Sequence, residues 1–126
     1  MKTNRIIVSV FTVFITIFSA GEGLAENKLE EAKKIEFLLA GIGTMENVVF
    51  IRNGKEYSAK KAADHLRLKW KQAGRHVKTV EDFIELCGSR SSISGKLYKM
   101  RFADGRIENS AVILKELLKE TERLND

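Results

Sequence analysis

Apolar residues recur at helical spacing in four stretches of residues 26–126 and alternate with polar ones in two short pairs, so the hydrophobic pattern alone lays out an order of elements. From Leu29 to Ile42, Ala32, Ile35, Leu38, Leu39 and Ile42 share one helical face, while Glu30 stands four residues before Lys34 on another. Gly41 and Gly43 mark the end of that helix. Val48-Val49-Phe50-Ile51-Arg52 is rich in strand formers and runs into Asn53-Gly54, a strong hairpin signal because both turn positions need positive φ. A two-residue loop sets Arg52 against Lys55, Ile51 against Glu56 and Phe50 against Tyr57, with Phe50 and Tyr57 expected to stack across the pair. Arg52 and Lys55 then form a like-charged hairpin tip, read here as screened by solvent.

Ser58 is placed to cap the next helix, since its hydroxyl can accept from a free N–H of the first turn. Ala59, Ala62, Ala63, Leu66, Trp70 and Ala73 make the core stripe, and Gly74 stops it. The other faces carry Lys60, Lys61, Arg67, Lys69 and Lys71, continued by Arg75, His76 and Lys78 and opposed only by Asp64, a basic patch. Thr79 with Asp82 forms an acidic capping box for a third helix, in which Val80, Phe83, Ile84 and Cys87 face inward. After Gly88 the periodicity stops over Ser89–Lys96. Tyr98, Met100 and Phe102 then alternate with Lys99 and Arg101, Asp104-Gly105 signals a second hairpin returning through Arg106-Ile107-Glu108, and Asn109 or Ser110 starts a last helix. There Ala111, Leu114, Leu117, Leu118, Thr121 and Leu124 are expected to face inward. The predicted fold is a small single α+β domain, residues 26–126, whose two β-hairpins join into one antiparallel sheet packed against about four helices on one side.

The first residues change where that domain is expected to work. Lys2 and Arg5 precede a run without charge from Ile6 to Ala20, followed by small residues at Gly23 and Ala25. This is the pattern of a cleavable signal peptide over residues 1–25, with cleavage predicted after Ala25; the run is shorter than the ~20 residues of a bilayer span. Export places the mature chain in the periplasm, with no transmembrane segment after cleavage. Losing Lys2, Arg5 and Glu22 with the leader lowers the formal charge from +5 to +4. That mild excess favours an anionic envelope component or an acidic protein partner, and export disfavours nucleic acid. Cys87 is the single cysteine, so the chain has no internal disulfide and no cysteine-based zinc site. With no thiol near it and no carboxylate at ligand spacing from His65 or His76, no metal site and no cofactor are predicted.

The candidate site is the irregular stretch, where small hydroxyl residues, a glycine and two cations come together. Its predicted ligand-binding residues are Arg90, Ser91, Ser92, Ser94, Gly95 and Lys96 with Tyr98, joined by His65, Arg67 and Lys69 from the basic helix. Short hydroxyls, free N–H groups about Gly95 and two cations suit a carboxylate, a phosphate or a sugar. Such serines equally serve to bond their own backbone. No catalytic residue is assigned: Ile93 stands where a Ser-x-x-Lys arrangement needs serine, and no Gly-x-Ser-x-Gly elbow occurs. The competing expectation is a small hydrolase in which a loop serine pairs with His65 inside a concave pocket.

Several phrases occur together and in order: Phe50-Ile51-Arg52-Asn53-Gly54, Ala63-Asp64-His65-Leu66-Arg67-Leu68-Lys69, Val80-Glu81-Asp82-Phe83-Ile84, and Ser91-Ser92-Ile93-Ser94-Gly95-Lys96 followed by Tyr98. In this combination the chain resembles the YfeK-like family of small exported bacterial proteins, a domain family of unknown function. The resemblance implies a periplasmic location in Gram-negative bacteria and brings no activity, ligand or catalytic residue. One departure is Leu97, where the family pattern leads one to expect proline; without it the loop enters the strand less constrained. The residue pattern predicts a non-enzymatic binding module for an anionic envelope component or partner protein, in the location that the resemblance implies.

Overall fold

The computed structural model describes residues 2–126, with side chains from Gly23 onward. The predicted signal peptide therefore lies outside the described side chains apart from Gly23, Leu24 and Ala25. The chain divides into two units, Met1–Glu30 and Glu31–Asp126. The first is helical from Lys2, within helix α1 (Lys2–Gly43). Among the described residues no helix is long and apolar enough to cross a membrane.

The second unit holds the predicted α+β domain. Strands β1 (Val49–Arg52) and β2 (Lys55–Ser58) form the first hairpin, with Arg52 against Lys55, Ile51 against Glu56 and Phe50 against Tyr57, as the Asn53-Gly54 turn predicts. Both turn residues have positive φ, 51° and 77°. Strands β3 (Lys99–Arg101) and β4 (Ile107–Asn109) form the second, and β1 pairs with β3 to join them in the order β2-β1-β3-β4, antiparallel throughout. The loop between β3 and β4 is longer than the Asp104-Gly105 signal alone requires: it is closed by Phe102 N–H donating to Arg106 O and Gly105 N–H to Phe102 O.

Helix α2 (Ala59–Ala73) starts at Ser58, whose Oγ accepts from Lys61 N–H, and buries Ala59, Ala62, Ala63 and Leu66 as the stripe predicts. Helix α3 (Val80–Phe83) has the predicted capping box of Thr79 and Asp82. Beyond Phe83 the helix widens into a π turn, Ile84–Gly88, and Val80, Phe83, Ile84 and Cys87 are all buried. At Gly88 an added Cβ would lie 2.4 Å from Leu114 Cδ1, so a side chain there would displace Leu114 of helix α4 (Ser110–Asn125) from its place in the core. Ser110 Oγ seals the contact by donating to Gly88 O at 2.5 Å.

One core joins Ile35, Leu38, Leu39 and Ile42 of α1 to Leu66 of α2, Phe83 of α3, Met100 of the sheet and Leu114 of α4. Alternation places Phe50, Tyr98 and Met100 on the buried face of the sheet. The expected inward set of α4 needs correction. Ile113 is buried with Leu114 and Leu118, whereas Leu124, a turn and a half past Leu118 and beyond the edge of the core, is 78% exposed.

Candidate functional site

A cavity of about 220 Å³ opens where the buried sheet face meets α2. Three elements shape it. Strand β1 contributes Phe50 and Arg52, two residues apart and so on one face; β2 contributes Tyr57, the register partner of Phe50; α2 contributes Lys61, Ala62, His65 and Leu66, one helical stripe. Tyr98, entering β3, and Ser110, opening α4, complete the wall, the Ser110 hydroxyl donating away to Gly88 O.

The Arg52 guanidinium lies at the centre. Nη2 donates to Tyr57 Oη at 3.1 Å, and the guanidinium carbon sits 5.0 Å from the centroid of the Tyr57 ring. Nη1 lies 3.2 Å from Nδ1 and 3.0 Å from Nε2 of His65, while His65 Nε2 is 3.3 Å from Tyr98 Oη. Burial first, then the charges of Arg52 and Lys69, hold the His65 pKa below the ordinary 6.5, so the ring is neutral near pH 7. A neutral imidazole has one acceptor nitrogen and one N–H, and a guanidinium only donates. We assign the proton to Nε2, because that tautomer gives both ring nitrogens a partner: Nδ1 accepts from Arg52 and Nε2–H donates to Tyr98 Oη, the 3.0 Å approach of Nη1 to Nε2 then being no hydrogen bond, whereas an Nδ1–H would have no acceptor among the described residues.

Lys69 lies behind this wall at 9% exposure. Its ammonium donates to Arg90 O at 2.8 Å and to Tyr98 Oη at 3.0 Å. Tyr98 Oη therefore already accepts two hydrogen bonds, and its own O–H is left to donate toward the cavity. The Tyr57 O–H is in the same position, since its oxygen accepts from Arg52. Ion pairs lie elsewhere, among them Arg67 with Glu36, Arg101 with Glu56, Lys34 with Glu31 and Arg123 with Glu120. No carboxylate lines the cavity, and neither Arg52 nor Lys69 has a carboxylate partner among the described residues. The polar end of the cavity thus presents N–H and O–H groups and no carboxylate.

A match to DUF5329, described as a family of unknown function, covers residues 29–122. Over 95 residues the chain is 30% identical to the uncharacterised protein YfeK of Salmonella typhimurium (strain LT2), an alignment spanning 75% of this chain and 76% of that one. The chain belongs to the DUF5329 family. This agrees with the resemblance carried by the sequence phrases. No solved structure matches it. The family's function is unknown, so the roles of residues in this DUF5329 domain rest on their geometry.

That geometry divides the residues predicted from sequence. His65, Lys69 and Tyr98 come together, and Arg90 reaches them through its carbonyl. Arg67 does not: it pairs with Glu36 at 2.7 Å on the other side of α2. Lys69 is not part of a surface patch, because it follows His65 by four residues and Leu66 by three and so turns inward with them.

The serine stretch closes on itself. Ser91 N–H donates to Lys96 O and Gly95 N–H to Ser91 O, both at 2.9 Å, and Arg90 bridges to Leu97. Ser91 Oγ is buried and accepts from Asn53 Nδ2, Ile93 N–H and Ser94 N–H, while Ser94 Oγ donates to Asn53 Oδ1 and accepts from Lys96 N–H. Gly95, at φ 73°, makes the turn. Ser92 is exposed, and Lys96 faces a separate depression beside Asn53 and Lys99. The hydroxyls of Ser91 and Ser94 thus bond to Asn53 and to backbone, and His65 meets Arg52 and Tyr98. The pairing that a serine hydrolase needs is not made.

Sequence reading missed Arg52 and Tyr57. Arg52 stands two residues after Phe50, and the hairpin register sets Tyr57 beside Phe50; alternation therefore places both on the helix-facing side of the sheet. Treating Arg52 as the hairpin tip obscured that signal.

Proposed function

We propose that this DUF5329 protein is a non-enzymatic periplasmic binding module that recognises an anionic envelope component or an anionic group on a partner protein, and that its site is the cavity between β1, β2 and α2. The observation that carries this reading is the one-sided hydrogen bonding of the cavity. Arg52, Tyr57 and Tyr98 offer hydrogens there, and the protein supplies no carboxylate to receive them. An anion with oxygen acceptors is the complement of such a site. The neutral His65 fits the same role, since it keeps Arg52 aimed at the cavity without adding a negative charge.

Export is supported by the leader pattern of Lys2, Arg5 and the uncharged run to Ala20. Fractionation of cells expressing the full chain should recover a periplasmic protein whose mass begins at Glu26; a cytosolic protein beginning at Met1 would overturn the location. For the binding reading, envelope extract passed over immobilised protein should leave an anionic species on the native surface and none on Arg52→Gln. Equal retention by both would remove the cavity from the account.

A further inference from the structure

The shape of the cavity narrows the class of anion. Its volume, about 220 Å³, exceeds the ~150 Å³ apolar cavity that holds benzene and falls below the ~300 Å³ at which drug-sized pockets begin. Room exists for a body the size of one ring or a short branched chain. Phe50, Ala62 and Leu66 are buried and apolar and form the deep wall, whereas the hydrogen-bond donors gather at one end. A bare inorganic anion would meet the donors and leave that wall facing water. A neutral alcohol could accept there through its oxygen, but it would bring a further donor and no charge to meet the Arg52 guanidinium.

The head group follows from what remains free. Arg52 has hydrogens beyond those given to His65 and Tyr57, and the two phenol O–H groups lack acceptors among the described residues. A carboxylate accepts at about four positions on two oxygens and matches a guanidinium in plane. Of the three cations nearby, Lys69 is already bound to Arg90 O and Tyr98 Oη behind the wall and Lys61 is exposed, so one guanidinium stands at the donor end. That suits a single negative charge. We propose that the cavity takes a small monocarboxylate with a compact hydrocarbon body, its carboxylate held by Arg52 and the Tyr57 and Tyr98 hydroxyls and its body against Phe50, Ala62 and Leu66. This rests on the anion-binding reading above and states which anion the site selects.

Calorimetric titration of the purified protein with phenylacetate, acetate, inorganic phosphate and benzyl alcohol tests it, with ring signals of His65 and Tyr98 followed by NMR. Phenylacetate should bind and shift both rings, and acetate, phosphate and benzyl alcohol should bind about tenfold more weakly or worse. Arg52→Gln should lose about tenfold or more in phenylacetate affinity. Tyr57→Phe, which deletes one hydroxyl at the rim and leaves the ring, guards against a loss caused by misfolding and should weaken binding several-fold. Phosphate binding as tightly as phenylacetate at the same residues would overturn the monocarboxylate class, and acetate binding as tightly would overturn the need for a hydrocarbon body; either would leave the anion reading standing. Benzyl alcohol binding equally well, or none of the three anions binding, would overturn both.

Discussion

Two polar regions of the molecule meet at Tyr98, the serine crossing on one side and the cavity beside α2 on the other, and their hydrogen bonding is opposite in kind. In the crossing, donors and acceptors are both local and they find each other: Ser91, Ser94 and Asn53 exchange side-chain bonds, and the backbone closes between Ser91 and Lys96. In the cavity, Arg52, Tyr57 and Tyr98 have donors to spare and no carboxylate to receive them. Polar composition is common to both. What separates a structural polar region from one shaped for a ligand is whether its hydrogen-bonding capacity balances internally.

The sharpest way to break this contrast acts on the residue the two regions share. Lys69→Ala removes the ammonium between Tyr98 Oη and Arg90 O and empties a buried site, so it should cost roughly 2–4 kcal/mol of stability in urea denaturation. A cost near zero would mean that Lys69 holds neither region. Ser91→Ala should come next, at about 1–2 kcal/mol, because Asn53 and two backbone N–H groups lose their acceptor. It should leave phenylacetate affinity unchanged; a tenfold loss there would put the crossing into the binding site and undo the distinction. Arg52→Gln should reverse the pattern, changing stability by less than about 1 kcal/mol while abolishing anion retention.

The smallest expected effect is a pH dependence. The folded-state pKa of His65 is depressed, so the unfolded chain binds more protons. Stability should fall as pH drops below about 6.5 toward the folded value and level off beneath it. Asp82 and Glu56 are depressed from 3.8 and 4.5 by their hydrogen bonds, so their losses come at more acid pH. Comparing chemical denaturation at several pH values for the native protein and His65→Asn isolates the upper window; an unchanged slope in the variant would assign it to another group.

Much of the fold was legible because local rules and tertiary packing agree. Asn53-Gly54 set the register of the first hairpin, Ser58 and Thr79 with Asp82 set two helix starts, and the apolar stripes of α2 and α3 became buried. The π turn at Ile84–Gly88 was not legible, since its apolar spacing fits an ordinary helix equally well. Half of the site was visible as well. His65, Lys69 and Tyr98 stood in the predicted group, but the serine stretch drew attention by its composition, and composition does not reveal that Asn53, some forty residues earlier, completes its bonding. Arg52 was hidden for a related reason: a cation at a hairpin turn looks solvated until the helix that covers its face of the sheet is in place.

Cys87 gives the molecule a property of a different sort. Its side chain has no solvent exposure, and burial pushes the thiol pKa up even with Lys69 nearby. A thiol that is both protonated and covered reacts with alkylating reagents only after the α3 region opens. Because it is the single cysteine in the sequence, the rate of its modification is an internal clock for that opening, and one that a ligand held by α2 and the sheet should slow.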